Sequence, residues 1–237
     1  MLSRSIVALL SLAAAASASV IPRANSTCAD PVVRKEWREL SGAEKAEYLR
    51  AAVCLRNLPK AKYEFVDAVT TRMDDLVFTH FSLNTDIHFV ANFLPWHRWD
   101  ENGEIIIGDM QAAAYNSKVM NTIYGFDTYA AMSNMLEGLP HAQIHSIIFG
   151  DMGPATSPNE PLFFLHHANV DRAWAKWQGR NATRLADYTG FNDPNRVISA
   201  SLDDRMPVMR LADEEPIVRD FMDTQAGPLC YTYSAST

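Results

Sequence analysis

The sequence predicts a single, mainly helical domain with long loops and little β-structure. Three observations carry this. Several stretches bear apolar residues at the three-to-four spacing of a helix. No alternation of strand-like and helix-like segments builds toward a parallel sheet. One short β-prone piece, Leu229-Cys230-Tyr231-Thr232-Tyr233, closes the chain. The 237 residues are 48% apolar and 21% charged, which excludes a disordered tail or a repetitive fibre and is enough for a buried core. The net charge is -7, with no basic stripe, so no nucleic-acid partner is expected.

The chain opens MLSRSIVALLSLAAAASASV. Arg4, the apolar run Ile6 to Ala16 and the small triplet Ala16-Ser17-Ala18 form the pattern of a secretory signal peptide. Residues 1–18 are therefore expected to be removed, leaving 19–237 as one secreted domain; a buried first helix is the alternative. The run is short for a bilayer and the chain has no longer one, so no membrane partner is expected. Two glycosylation sequons, at Asn25 and Asn181, agree with export. So do Cys28, Cys54 and Cys230, an odd number that leaves one thiol over after a single disulfide.

Ser41, three residues before Glu44, predicts a capped amphipathic helix running to about Leu55. Phe65, Val69, Leu76 and Val77 predict a second helix from about Lys60 to His80, with His80 on its stripe. Thr85 to Leu94 reads as loop. Pro95 suits the first turn of a helix that carries His97. Met132 to Ile148 predicts a helix interrupted by Gly138 and Pro140 just before His141. The proline-rich 154–161 stretch is loop, Phe163 to Gln178 is helix, and the rest is turn-like.

All seven histidines lie between residues 80 and 167. They form two groups: His80, His88 and His97, then His141, His145, His166 and His167. His141 and His145, four apart, share one helical face. Taken singly, each has an ordinary explanation, either an exposed pair or a hydrogen-bonded core histidine. Two sets of imidazoles on apolar-flanked helices are costly to bury without a purpose, and a metal supplies one. No nearby carboxylate completes either set. A pair of coppers therefore suits the pattern better than a di-iron site, which uses carboxylates, or a di-zinc hydrolase, which bridges with them. Ala142 after His141 excludes the HExxH zinc-protease motif.

The segments THFSLNTDIHFVANFLPWHRW and PHAQIH, then GDMGPATSPNEPLFFLHHANVDRAWAKW, resemble the two copper-binding motifs of the tyrosinase and catechol oxidase family of type-3 copper proteins. VVRKEWREL and LCYTY resemble the opening and the Tyr-x-Tyr closure of its short secreted fungal members. The resemblance covers residues 28–99 and 132–233. It implies a four-helix bundle around two copper ions, one held by His80, His88 and His97, the other by His141, His145 and His167. His167 is preferred to His166 because the family's ligand sits four residues before the Asp of the Asp-Arg pair, here Asp171. Asp171 then orients His167, or else is a salt-bridge residue beside Arg172. Phe93 and Phe163 wall the ligands. Glu137 matches a catalytic Glu that holds a water near the second copper and assists phenol deprotonation; an exposed helix-end Glu is the alternative.

The resemblance further implies a secreted enzyme that oxidises small phenols, chiefly o-diphenols, to o-quinones with O2. Monophenols and o-aminophenols are further candidate substrates. Members that hydroxylate monophenols often carry Asn where this chain has Ala142, which favours diphenols. The stretch between His97 and His141 is only 43 residues, shorter than in relatives. Asp86 stands two before His88, where many members carry a Cys linked to that ligand. The resemblance pairs Cys28 with Cys230, brings Arg34 near Tyr231 or Tyr233, and leaves Cys54 without its partner. A degenerate, non-catalytic or oxygen-binding relative is the competing expectation.

Overall fold

In the computed structural model, residues 28–100 and 116–234 are described. The expected signal peptide and Asn25 lie outside them. The described residues form a mainly helical fold with one two-stranded sheet.

Helix α1 (Gly42–Asn57) starts where the sequence places it. The Glu44 amide donates to Ser41 Oγ at 3.2 Å and the Ser41 amide donates back to Glu44 Oε2 at 2.8 Å. It is not amphipathic as expected: Ala52 is its buried residue, and Leu49 and Val53 are exposed. Helix α2 (Arg72–Ser82) is half the expected length. The buried carboxylate of Asp75 accepts the Ala61 amide at 2.9 Å and the Lys62 amide at 3.3 Å. Those amides are thereby taken from any helix over 60–71, and the chain turns there instead. Thr71 and Asp74 then cap α2 reciprocally. Phe65, counted on the expected stripe, is exposed.

A short α3 (Asn84–Ile87) occupies part of the expected loop, and α4 (Phe93–Asp100) holds Pro95 in its first turn. Helix α5 (Ser117–Tyr124), capped by Asn116, was not foreseen. Helix α6 (Tyr129–Leu136) leads through a π-helical turn, Glu137–His141, into α7 (Ala142–Ile148). The interruption falls where Gly138 and Pro140 predict it. Proline has no amide to give the α-helical ladder, and the widened turn absorbs the loss. Helix α8 (Leu162–Gln178) is the longest, and most of its length is buried.

From residue 181 the chain is irregular, yet it forms one wall of the core. Met206, Val208, Val218 and Phe221 are buried against Trp96 of α4 and Trp174 and Trp177 of α8. The Trp96 indole donates to the Pro207 carbonyl at 2.8 Å and the Trp177 indole to the Phe126 carbonyl at 2.8 Å. Strand β1 (Val32–Arg34) pairs in parallel with β2 (Tyr231–Tyr233), Val32 opposite Tyr231 and Arg34 opposite Tyr233. The Cys28–Cys230 disulfide closes the same corner, with Cα atoms 5.3 Å apart, and Cys54 is a free, exposed thiol, as the resemblance implies.

Under this corner lies a buried ion cluster. Asp171 of α8 accepts Arg98 Nε of α4 at 2.5 Å, takes both the Tyr231 and Tyr233 hydroxyls, and lies 3.5 Å from Arg34. Arg98 also donates to the Phe221 and Met222 carbonyls, each at 2.9 Å, and stacks 3.6 Å over Trp174. Burial pushes the Asp171 carboxyl up, but Arg98, Arg34 and the two hydroxyls outweigh it and hold it below the ordinary carboxylate range.

Asp171→Asn keeps the shape and removes the charge, leaving Arg98 buried without its counter-ion. Urea unfolding of the variant at pH 7 is expected to show a loss of about 3–5 kcal/mol. A loss below about 1 kcal/mol, the scale of an exposed pair, would show that the cluster does not hold the corner.

Candidate metal centre

Helices α2, α4, α7 and α8, with the residue after α3 and the π-turn before α7, converge with their histidines. His80 comes from the end of α2, His88 follows α3, His97 lies on α4, His141 ends the π-turn, His145 lies on α7, and His166 and His167 lie on α8. His80, His88 and His97 offer one nitrogen each within 4.8 Å of one another, and so do His141, His145, His166 and His167. The groups abut: the His97 and His167 rings stack at 4.3 Å, and His88 lies 6.0 Å from His141. Among the described residues no carboxylate joins either group.

The backbone turns the rings inward. Nδ1 of His80 meets the Ala155 carbonyl at 2.8 Å, and that of His145 the Met152 carbonyl at 2.6 Å. His88, His97 and His141 each use the carbonyl four residues earlier, of Asn84, Phe93 and Glu137, at 3.0, 2.7 and 3.2 Å. A carbonyl only accepts, so in all five Nδ1 carries the proton and Nε2 keeps its lone pair. Nε2 of His80, His97 and His141 is buried without a hydrogen-bond partner. Three of these bonds run to residue i−4 and are readable as helical spacing. The Ala155 and Met152 carbonyls left no sequence signal, since loops place them.

His166 and His167 differ in their surroundings. His166 Nε2 lies 3.1 Å from the His141 carbonyl, and its ring stacks on His141 at 5.3 Å. Its inner nitrogen is thus spent on backbone. His167 touches rings of both groups: His97 at 4.3 Å, His141 at 5.0 Å and His145 at 5.5 Å. The orienting role expected of Asp171 is not what its oxygens do; both are occupied by the ion cluster. Asp171 instead ties α8 to α4 and so sets where His167 meets His97. Phe93 and Phe163 are fully buried against the rings, Phe93 4.8 Å from both His97 and His141, Phe163 4.2 Å from His167 and 5.1 Å from His80.

Glu137 is buried, contrary to the exposed alternative, and accepts the Phe89 amide at 2.7 Å. Burial pushes its carboxyl up to about 8, against the pull of that amide. Burial likewise drives the imidazoles down, helped by neighbouring rings: His80 to about 3, His88 to about 4, and His97, His141, His166 and His167 well below the ordinary range. Neutral imidazole is the form a metal binds, and a carboxylate-free set of such donors suits copper.

Residues 103–180 match the family model described as the common central domain of tyrosinase. The tyrosinase-like protein phomQ1 of Diaporthe leptostromiformis is 29% identical, over 87% of this chain and 78% of that protein. That alignment runs over 310 positions, more than the 237 residues here, so the relative carries interior segments this chain lacks. Tyrosinase ustQ of Aspergillus flavus is 25% identical, over 87% of this chain and 80% of its own length. A polyphenol oxidase from Thermothelomyces thermophila superposes with a TM-score of 0.71 at 21% identity, over 86% of this chain and 89% of that one.

The metal-free protein is expected to weaken in acid. An imidazole held neutral in the fold gains a proton on unfolding below its ordinary value of 6.5, so its stabilisation is complete above that value and is lost as pH falls. Glu137 has the opposite sign, stabilising below 4.5 and losing that as pH rises toward about 8, but it is one group against seven. The urea midpoint should fall from pH 7 to pH 5; a flat profile would contradict the buried neutral rings.

Proposed function

We propose, from the premise that this chain belongs to the tyrosinase and catechol oxidase family of type-3 copper proteins, that it is an exported dicopper oxidase converting o-diphenols to o-quinones with O2. The observation that carries this reading is the pair of abutting imidazole groups, neutral and turned inward by their Nδ1 bonds. His80, His88 and His97 would hold one copper and His141, His145 and His167 the other, with His166 bracing His141 from behind. Bound there, the metals supply transfer of two electrons from the diphenol to oxygen.

The rest is work for the chain's own residues. Carbonyl bonds fix the rings before any metal arrives, which limits reorganisation. Phe93 and Phe163 keep water from the inner face of the rings. Glu137 is attached to both sides, its carbonyl to His141 and its carboxyl to the amide after His88. We assign it the phenolic proton, or the water that relays it. Copper ions bound by the histidines would oppose the upward push of burial and favour the carboxylate that accepts that proton. Ala142 supplies no side-chain amide to polarise such a water, which supports diphenols over monophenols as substrates.

Residues 1–18 would direct export, and Asn181, exposed in a turn, would be open to glycosylation. Among the described residues no helix is long and apolar enough to cross a membrane. We assign the missing interior length to the stretch between residues 98 and 140, and such a loss would favour a second reading, an oxygen-binding or non-catalytic relative.

Metal analysis and an oxygen electrode separate the readings. The expected result is two coppers per chain, rapid oxygen uptake with catechol, and slower uptake with tyrosine after a lag. Two coppers without uptake would indicate a carrier, bound zinc a hydrolase, and faster tyrosine turnover would overturn the diphenol preference. For the proton role, Glu137→Gln keeps an acceptor for the Phe89 amide and should leave copper content and the urea midpoint at pH 7 intact. Turnover should fall about 100-fold, the lower range for a positioned base; unchanged turnover would remove Glu137 from the mechanism.

A further inference from the structure

Among the six histidines assigned to copper, His88 and His145 are half-buried, one in each cluster, while His80, His97, His141 and His167 are buried. Each of these two histidines leads into an unusual phenylalanine. Phe89 directly follows His88, has φ of 57° and is 75% exposed. Phe149 ends the turn begun at His145, donates its amide to the His145 carbonyl at 3.2 Å, has φ of 57° and is 76% exposed.

The backbone at both places has a clear task. At Phe149 the chain must reverse so that Met152 can return its carbonyl to His145 Nδ1; the Met152 amide donates to the Phe149 carbonyl at 3.2 Å and completes the reversal. With ψ of −162°, Phe149 occupies a region that is essentially glycine's, and Gly150 beside it has φ of 58°. At Phe89 the left-handed residue aims its amide at Glu137. Glycine would meet either backbone demand without strain. A bulky aromatic meets neither demand better and adds exposed apolar surface, so the backbone alone does not account for the rings.

We propose that Phe89 and Phe149 flank the substrate entrance and bind the apolar substituent of an incoming phenol, selecting phenols with a bulky hydrophobic group over unsubstituted ones. This rests on the oxidase reading of the same site. The ring to be oxidised enters between His88 and His145, and a substituent opposite its hydroxyls remains at the mouth, where the phenylalanines lie. Their exposed surface is then covered by the ligand, which contributes apolar burial and aromatic contact.

The test compares Phe89→Ala, Phe149→Ala and Phe149→Gly in the copper-loaded full chain. With 4-tert-butylcatechol, KM should rise about fivefold in each, the scale of one aromatic contact, and less than twofold with catechol. Phe149→Gly should also raise the thermal midpoint, whereas Phe149→Ala, which keeps a side chain at that φ, should not. Calorimetric titration with 4-tert-butylbenzoate, which is not a diphenol, reads binding without turnover; its Kd should weaken by a similar factor. Weakened binding in a protein that oxidises neither catechol would sink the oxidase reading and leave the entrance in place. KM and Kd within twofold of wild type in all three variants, or no binding of the benzoate to wild type, would overturn the entrance itself.

Discussion

Asp171 is charged, buried and shared by four groups, and the meeting of the two histidine clusters depends on it. It joins α8 to α4 through Arg98, and to the paired strands through Arg34, Tyr231 and Tyr233. Arg98 is the residue after His97, and His167 precedes Asp171 by one helical turn. Drawing Arg98 to Asp171 therefore brings His97 against His167, the closest contact between the clusters. Burying such a pair is costly unless each lone pair and each donor is met, and here the Phe221 and Met222 carbonyls and the two tyrosine hydroxyls meet them. The terminal strands and their disulfide lie far from the histidines in sequence, yet they support the centre through this one carboxylate.

The same desolvation that makes the ion cluster demanding makes the imidazoles useful. A buried imidazole sheds its proton, and a ring whose Nδ1 is committed to a carbonyl has one direction left for its lone pair. Five rings are constrained in this way from five different carbonyls. The individual rings are thus oriented by backbone carbonyls and burial, with no charged partner of their own. That explains why no carboxylate among the described residues approaches either cluster, and why the one buried carboxyl beside them, Glu137, is turned to an amide.

How much of this can be read from residues alone depends on the range of the interaction. The Ser41–Glu44 box, Pro95 in its first turn and the break before His141 are local chemistry, and each lies where the sequence puts it. The histidines announced themselves by number and spacing. The helix expected over residues 60–71 failed because Asp75 reaches back fourteen positions to take two amides, which no periodicity reveals. Asp171 misled for the same reason: its i−4 neighbour His167 was the visible partner, while its true partners are 60 to 137 residues away. The carbonyls of Ala155 and Met152, and the left-handed backbone at Phe89 and Phe149, arise from loop paths that only the folded chain defines.

These contacts also bear on the chain's short interior. If α4 were positioned by the residues just after it, losing length beyond His97 would release His97 from the cluster. Among the described residues its contacts point elsewhere. Trp96 is held by the Pro207 carbonyl, Arg98 by Asp171 and the carbonyls of residues 221 and 222, and His97 by its own helix and by Phe163 and His167. All of these anchors lie after residue 160 or within α4 itself. The irregular C-terminal region, though poor in regular structure, is thus the support for the first cluster. A shortened connection there would change the surroundings of the centre without removing these anchors, so the histidine geometry would survive a loss of chain that would otherwise be expected to abolish it.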